Sequence, residues 1–555
     1  MAALTRDQVN FPTFTNQTLF ERIAILHENA DQLANEAERR TVKGYYNSFK
    51  AWGIGLSDET QSRLKTIRQE LTELSETFES KNNSYYNANL IFVDHADDLQ
   101  GLSEQAVTAA KERAKSNGQP KKWCLAEDPR SARYYLTFLK NRTLRKTVYE
   151  GTKGAEPGSE FDTIPLIARI AGLKNEMAKI IGYNNYAHWA TEDTMIGSVE
   201  AANDLLETDH KVLFEAYKKD LDTLNEFARQ NEEINTVKPW DIDYLVNRYK
   251  EVNYGYDEQM IREYFPYEAV HQGFLNHAEA LFGMRFVHNQ DYPLPHEDFK
   301  AYDVFRGQDF LGTAMFDPFK RPDKRSGAWM SSLQRHYIDP KGRDIKPISA
   351  MHCNGSAPDK NGGPSLWSIS DIETYFHENG HGIDNLASQA NRLRSQGGTF
   401  NDRYAVEVPS QVQENWVPHL LKSISSHYET GEPIPDQPLK RYLEAQKVMS
   451  SFRDIRQNLL GTLDYKVYNE DKIEDRDEDF YRNLENHFPF CHFHGLPPYD
   501  RGVTLSRFSH IFSGGYTAKY NSYRFAEWCD ADIFESLFEK KGLYNKESAD
   551  AVWSF

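Results

Sequence analysis

Residues 370–385 read SDIETYFHENGHGIDN and contain His-Glu-Asn-Gly-His, the stretch from which the rest of the chain is read. Ser370 followed three residues later by Glu373 has the form of a capping box and predicts a helix over 370–386. On a helix His377 and His381 stand at i and i+4, one above the other on a single face. Two imidazoles so placed can hold one metal ion. Glu378, beside them on the turn, is aimed at a water on that ion rather than at the ion itself. This is the physical content of HExxH: two ligands and a general base. The bland alternative is a surface helix on which three residues fell at this spacing by accident. With 18 His and 83 acidic residues among 555, such a match somewhere is expected at a rate on the order of a few per cent.

The downstream sequence weighs against the accident. A catalytic zinc needs a third protein ligand and an open fourth position. NDRYAVEVPSQVQENW (401–416) supplies Glu407, followed by Val408-Pro409 and a helical run. Proline suits a first helical turn, so Glu407 is expected at the start of a second helix packed on the first. A further cluster, FSHIFSGGYTAKYNSYRFAE (508–527), holds His510, Gly514-Gly515, Tyr516, Tyr520 and Tyr523. A tyrosine hydroxyl can donate a hydrogen bond to an oxyanion without changing charge near neutral pH. The paired glycines would let the segment move. Aromatic packing is the alternative, since the chain has 31 tyrosines.

Composition bounds the partners. The chain is 39% hydrophobic and 13% aromatic, which excludes a disordered protein. A net charge of −18 argues against gripping nucleic acid or an anionic membrane through a general field. The four cysteines, Cys124, Cys353, Cys491 and Cys529, form no CxxC pair and fit a reducing compartment. The first twenty residues lack a secretory pattern, and no apolar run is long enough to span a bilayer. The expected location is the cytoplasm, with no membrane partner.

The first 280 residues read as helix after helix. Three stripes step by threes and fours: Leu19, Ile23, Leu26, Ala30 and Leu33; Leu64, Ile67, Leu71, Leu74 and Phe78; and Ile167, Ile170, Leu173, Met177 and Ile181. All three are expected to face a core. GTKGAEPGSEFD (151–162) reads as a loop. Between about 300 and 353 the texture changes. AYDVFRGQDFLGTAMF predicts two short strands around Arg306–Asp309, and RDIKPISAMHC another; this is the one place a small sheet is expected. HFPFCHFHG (487–495) matches no zinc spacing and reads as a plain loop, with a second metal site as the alternative.

Taken in order, TYFHENGHG, VEVPSQVQENW and FSHIFSGGYTAKYNSYRFAE resemble the three landmarks of the M3 zinc metallopeptidases, the family of thimet oligopeptidase, neurolysin, oligopeptidase A and peptidyl-dipeptidase Dcp. SSHYETGEPIP and KRSGAWMSSL look similar to that family too, and the likeness runs from roughly residue 19 to residue 545. The resemblance implies a mainly α, two-lobed fold with a deep central channel and a small sheet near the active site. Residues 1–150 would form an N-terminal helical lobe and 151–555 the catalytic domain. It implies one zinc ion held by His377, His381 and Glu407, with Glu378 as base. It implies that Tyr516 and Tyr523 stabilise the transition state, and His510 matches a family histidine near the substrate. Arg403 and the GGT at 397–399 match the loop before the third ligand. Substrates would be short peptides and the protein a monomer, with endopeptidase and peptidyl-dipeptidase action both open. The alternative is a non-catalytic peptide-binding scaffold on the same fold.

The sequence departs from the family pattern at four points. Asn379 stands where the family has Phe, Asp384 where it has His, and Tyr404 where it has Asp. An unsatisfied buried amide at 379 would cost about 1–3 kcal/mol. Loss of a carboxylate that orients a ligand histidine can weaken metal binding about 10- to 100-fold, and Asp402 or Asp384 are the candidates to replace it. The chain is also short, and is expected to be truncated at both ends relative to the family.

Overall fold

The computed structural model describes residues 12–125, 129–152, 154–321, 324–325, 327–358, 363–388, 402–469, 476–484 and 505–554. The fold is mainly α with small sheets, as expected. The chain divides into two compact units, residues 1–22, 47–255 and 445–521 in the first, and 23–46, 256–444 and 522–555 in the second. Residues on both sides of position 150 therefore share the first unit. The helices that matter below are, in chain order, α1 (Asp58–Ala88), α2 (Ile164–Ile180), α3 (Val199–Asn231), α4 (Tyr267–Phe282), α5 (Ile369–Ala387), α6 (Val408–Glu414), α7 (Ser451–Tyr468) and α8 (Ser522–Ile533).

In the first unit α1 starts at Ser57, whose side chain accepts the Thr60 N–H at 3.3 Å. Its stripe behaves as the periodicity predicts. Leu64 and Ile67 are fully buried against Leu173 and Met177 of α2, with Leu71, Leu74 and Ile181 at the margin. A second core joins Tyr217, Leu221 and Leu224 of α3 to Phe452 and Ile455 of α7. Asn458 ties the same pair of helices, donating to the Leu206 carbonyl at 2.8 Å and to Asp209 at 3.1 Å.

Two expectations fail here. The stripe that begins at Leu19 is not core: the helix Gln17–Glu28 has no buried residue, and Leu19 and Leu26 are exposed. Its ring contacts come from residues off the stripe: Phe20, 5.6 Å from buried Phe49, and His27, stacked on Tyr46 at 4.0 Å. The helical run is also interrupted by an antiparallel pair, β1 (Ile91–Val93) with β2 (Trp123–Leu125). Three-residue strands are too short to show alternation.

The second unit is built on a five-stranded mixed sheet of β3 (Met284–His288), β4 (Lys300–Arg306), β5 (Asp309–Phe319), β6 (Trp329–Gln334) and β9 (Ile348–Gly355). Its order is β3-β4-β5-β9-β6, with β5 and β9 parallel and every other pair antiparallel. The β4–β5 turn falls on Gly307 at φ 62°, where the sequence placed it. β7 (Tyr337–Ile338) and β8 (Asp344–Ile345) form a separate small pair. β3 and β6 escaped the sequence reading. The sheet is the floor for α5: Asn385 donates from Nδ2 to Ser349 Oγ of β9 at 2.6 Å and accepts at Oδ1 from Ser332 Oγ of β6 at 2.9 Å.

Candidate metal centre

α5 is capped two residues earlier than predicted. Its cap is Ser368, which accepts the Asp371 N–H at 3.1 Å, while Asp371 Oδ2 accepts the Ser368 N–H at 3.0 Å. The box is therefore Ser368-x-x-Asp371 and not Ser370-x-x-Glu373. The shorter acid closes the same reciprocal pair, which leaves Ser370 inside the helix. Two turns on, the buried aromatic face of α5 is Tyr375 and Phe376. Tyr375 Oη lies 2.6 Å from Nδ1 of His271 on α4, whose Nε2 is 2.9 Å from the hydroxyl of Tyr302 on β4.

The opposite face carries the motif. Nε2 of His377 and Nε2 of His381 each lie 3.3 Å from Oε2 of Glu407. One donor atom from each of the three residues falls within 4.8 Å of the others, the single such group of His, Cys, Asp and Glu among the described residues. Glu407 sits between a short helix, Arg403–Val406, and α6, with Pro409 in the first turn as expected. Ser410 Oγ donates to the Glu407 carbonyl at 2.8 Å. What brings the two helices together is a missing side chain. A Cβ on Gly380 would stand 2.6 Å from Ser410 Cα and 2.8 Å from the Pro409 carbonyl oxygen. Glycine at this place in HENGH lets α6 approach until Glu407 reaches both histidines.

Burial sets the electrostatics. Glu378 is 6% exposed, and burial pushes its carboxyl up, against the pull of the two histidines. Burial acts on Glu407 in the same direction, but hydrogen bonds from His377 and His381 outweigh it and hold that carboxyl well below its ordinary range. Nδ1 of His377 lies 2.6 Å from Oε1 of Glu414, seven residues beyond Glu407 on α6. Glu414 is thus the carboxylate found against the His377 imidazole, where Asp402 and Asp384 were the candidates from sequence. Asp402 instead caps the short helix, accepting the Tyr404 N–H at 3.0 Å. Tyr404 is fully buried with its ring 5.5 Å from that of Phe525. Asn379 is buried too, but its Nδ2 donates to the Tyr375 carbonyl at 2.7 Å, so the feared orphan amide has a partner one turn back. Asp384 lies in the last turn of α5, its carbonyl accepting the Ser388 N–H at 3.1 Å.

Tyr523 is in this unit, in the first turn of α8, which packs on α6; its carbonyl accepts Gln411 Nε2 at 3.3 Å. His510 and Tyr516 lie in the first unit, their ring centroids 6.0 Å apart. The two glycines before Tyr516 answer to geometry. A Cβ on Gly514 would meet His510 Cα at 2.9 Å, and Gly515 takes φ 83°. The GGT at 397–399 and the HFPFCHFHG stretch lie outside the described residues. No described helix is long and apolar enough to cross a membrane.

The comparisons agree with the geometry. The model of peptidase family M3 matches residues 135–551. Oligopeptidase A of Salmonella typhimurium is 29% identical over 530 residues, which cover 93% of this chain and 76% of the relative. Dipeptidyl carboxypeptidase of the same organism is 28% identical over 560 residues, 98% of this chain and 79% of that one. A solved structure described as an oligoendopeptidase F superposes with a TM-score of 0.51 at 11% identity, covering 99% of this chain and 78% of the other; at that identity it shows the fold alone. The protein is a metallopeptidase by these relationships. The chain belongs to peptidase family M3.

Proposed function

We propose that this metallopeptidase hydrolyses peptide bonds in short peptides with one zinc ion held by His377, His381 and Glu407 and with Glu378 as general base. The observation that carries the reading is the convergence of two imidazole nitrogens and one carboxylate oxygen within 4.8 Å beside a buried fourth group, Glu378. That donor set, three N/O ligands from two helices, is the catalytic zinc type and not the closed, thiol-rich structural type. Zinc bound there would supply Lewis acidity to a substrate carbonyl and acidify water. Glu378, with its carboxyl raised by burial, takes a proton from the attacking water and delivers it to the leaving amine. Glu414 holds the His377 imidazole by Nδ1, leaving Nε2 for the metal. Tyr516 and Tyr523 donate hydrogen bonds to the tetrahedral oxyanion, and His510, its ring centroid 6.0 Å from that of Tyr516, stands near the substrate. The protein acts on its own in the cytoplasm.

The test is turnover of a short internally quenched peptide by the zinc-loaded protein, beside Glu378→Gln. Turnover that disappears in the variant and on chelation supports the reading. A folded, zinc-loaded protein with no turnover on any of a panel of short peptides overturns it in favour of a peptide-binding scaffold.

A further inference from the structure

The segment that carries Tyr516 is gripped by charged groups that the mechanism above leaves unused. Asp464 on α7 is fully buried. Its two carboxylate oxygens accept the backbone N–H groups of Ala518 at 2.7 Å and Tyr520 at 2.8 Å. Ala518 has φ 54°, the left-handed region that a residue with a Cβ avoids. Successive N–H groups turned inward by such a conformation form a concavity suited to an anion. Here the anion is the chain's own carboxylate, and it compensates for the strained alanine.

A second strut comes from α2. Lys174 Nζ donates to Thr517 Oγ1 at 2.6 Å, and Thr517 Oγ1 donates onward to the Ile511 carbonyl at 2.7 Å. The ammonium lies 4.9 Å from the centroid of Tyr186 and 5.8 Å from that of Tyr468. The loop then closes on itself: the Tyr516 N–H donates to the His510 carbonyl at 2.9 Å and the Lys519 N–H to the Tyr516 carbonyl at 2.9 Å. One turn before Asp464, the Cβ position of Gly461 stands 3.2 Å from Cβ of Asn521, so α7 also seats the end of the segment. Burial pushes the Asp464 carboxyl up to about 7 and the Lys174 ammonium down to about 8, each opposed by the other's charge. The glycines before Tyr516 therefore belong to an anchored turn and not to a free hinge.

We infer that Asp464 is a positioning residue: by holding the backbone of residues 518–520, with Lys174 and Thr517 as the second strut, it fixes the direction in which Tyr516 presents its hydroxyl. The inference rests on the reading of Tyr516 as an oxyanion donor. A donor of that kind is worth its placement, since a misplacement of about 1 Å can cost on the order of 100-fold in rate.

The experiment is a double-mutant cycle on the zinc-loaded protein, measuring kcat and KM for Asp464→Asn, Tyr516→Phe and the pair. An asparagine offers one acceptor and turns its NH2 toward the second N–H, so the grip is broken at nearly constant volume. Asp464→Asn is expected to lower kcat on the order of 10-fold with KM nearly unchanged. The double variant is expected to be no slower than Tyr516→Phe alone. Multiplicative losses, or wild-type kcat in Asp464→Asn, overturn the inference while leaving the tyrosine reading intact. Wild-type kcat in Tyr516→Phe overturns the tyrosine reading and this inference with it. If Asp464→Asn does not fold by far-UV circular dichroism, Thr517→Val takes its place in the cycle, and the same outcomes decide.

Discussion

Oε1 of Glu414 lies 2.6 Å from Nδ1 of His377, while Oε2 of Glu407, two turns earlier on the same face, lies 3.3 Å from Nε2 of the same ring. One imidazole is thus held at both nitrogens by a single stretch of chain. Glu414→Gln keeps the shape and removes the charge. Zinc affinity, read by competition with a chelator, is expected to fall about 10-fold or more. Equal affinity in variant and wild type would show that Glu414 does not orient the ligand.

The approach of α5 and α6 depends on the bare Cα of Gly380. Gly380→Ala forces a methyl against backbone, which cannot swing aside, and is expected to destabilise by about 1–3 kcal/mol and to weaken zinc binding. Gly172→Ala is the contrasting case. That glycine lies inside α2 with nothing within 4 Å of its Cβ position, and the substitution is expected to stabilise by about 0.5–1 kcal/mol. Urea unfolding of both variants checks the pair; equal effects would remove the steric argument.

His271 and His277 are buried on α4, and burial pushes them down from 6.5 to about 3 and about 4. A histidine depressed in the folded state favours folding fully above its unfolded value and loses that contribution as pH falls below it. Stability should therefore decline from about pH 6.5 down toward 4, each histidine adding up to about 1.4 kcal/mol per pH unit. His277→Gln should flatten that slope between pH 6.5 and 4.5. The same slope in variant and wild type would exclude His277 as a source.

In the first unit Asp241 is fully buried between two guanidinium groups. Arg142 reaches it at 2.7 Å and Arg145, itself 1% exposed, at 3.1 Å. Asp241→Ala strands the Arg145 charge and is expected to cost about 3–5 kcal/mol in chemical unfolding. A loss below about 1 kcal/mol would mean the Leu139 and Lys140 carbonyls that Arg145 also reaches suffice for it.

The motif helix and the placement of Glu407 after it were legible because both rest on short-range rules, the i,i+4 face and proline in a first turn. The stripes on α1 and α2 were legible for the same reason. The stripe at Leu19 misled because periodicity says that a face is apolar and not that anything covers it. Glu414 was on the page as the seventh residue after Glu407, yet its role depends on knowing that α6 runs past His377. Asp464 could not be read at all: more than fifty residues separate it from Ala518, and no local pattern announces a carboxylate that binds backbone. Asn379 was visible as a departure, while its partner, the Tyr375 carbonyl, becomes one only when the side chain turns back along its own helix.

Asn385 bridges Ser332 and Ser349 at the end of α5, and so couples the helix that bears both histidines to two neighbouring strands. That bridge stops α5 from rolling about its axis while the sheet stays formed. The face that carries both histidines and the sheet are consequently expected to open as one cooperative event, with amides of β9 and α5 exchanging with solvent at a common free energy. Heat is then expected to inactivate the centre by dissolving its floor, with the unfolding of β9 and the loss of activity falling at one temperature.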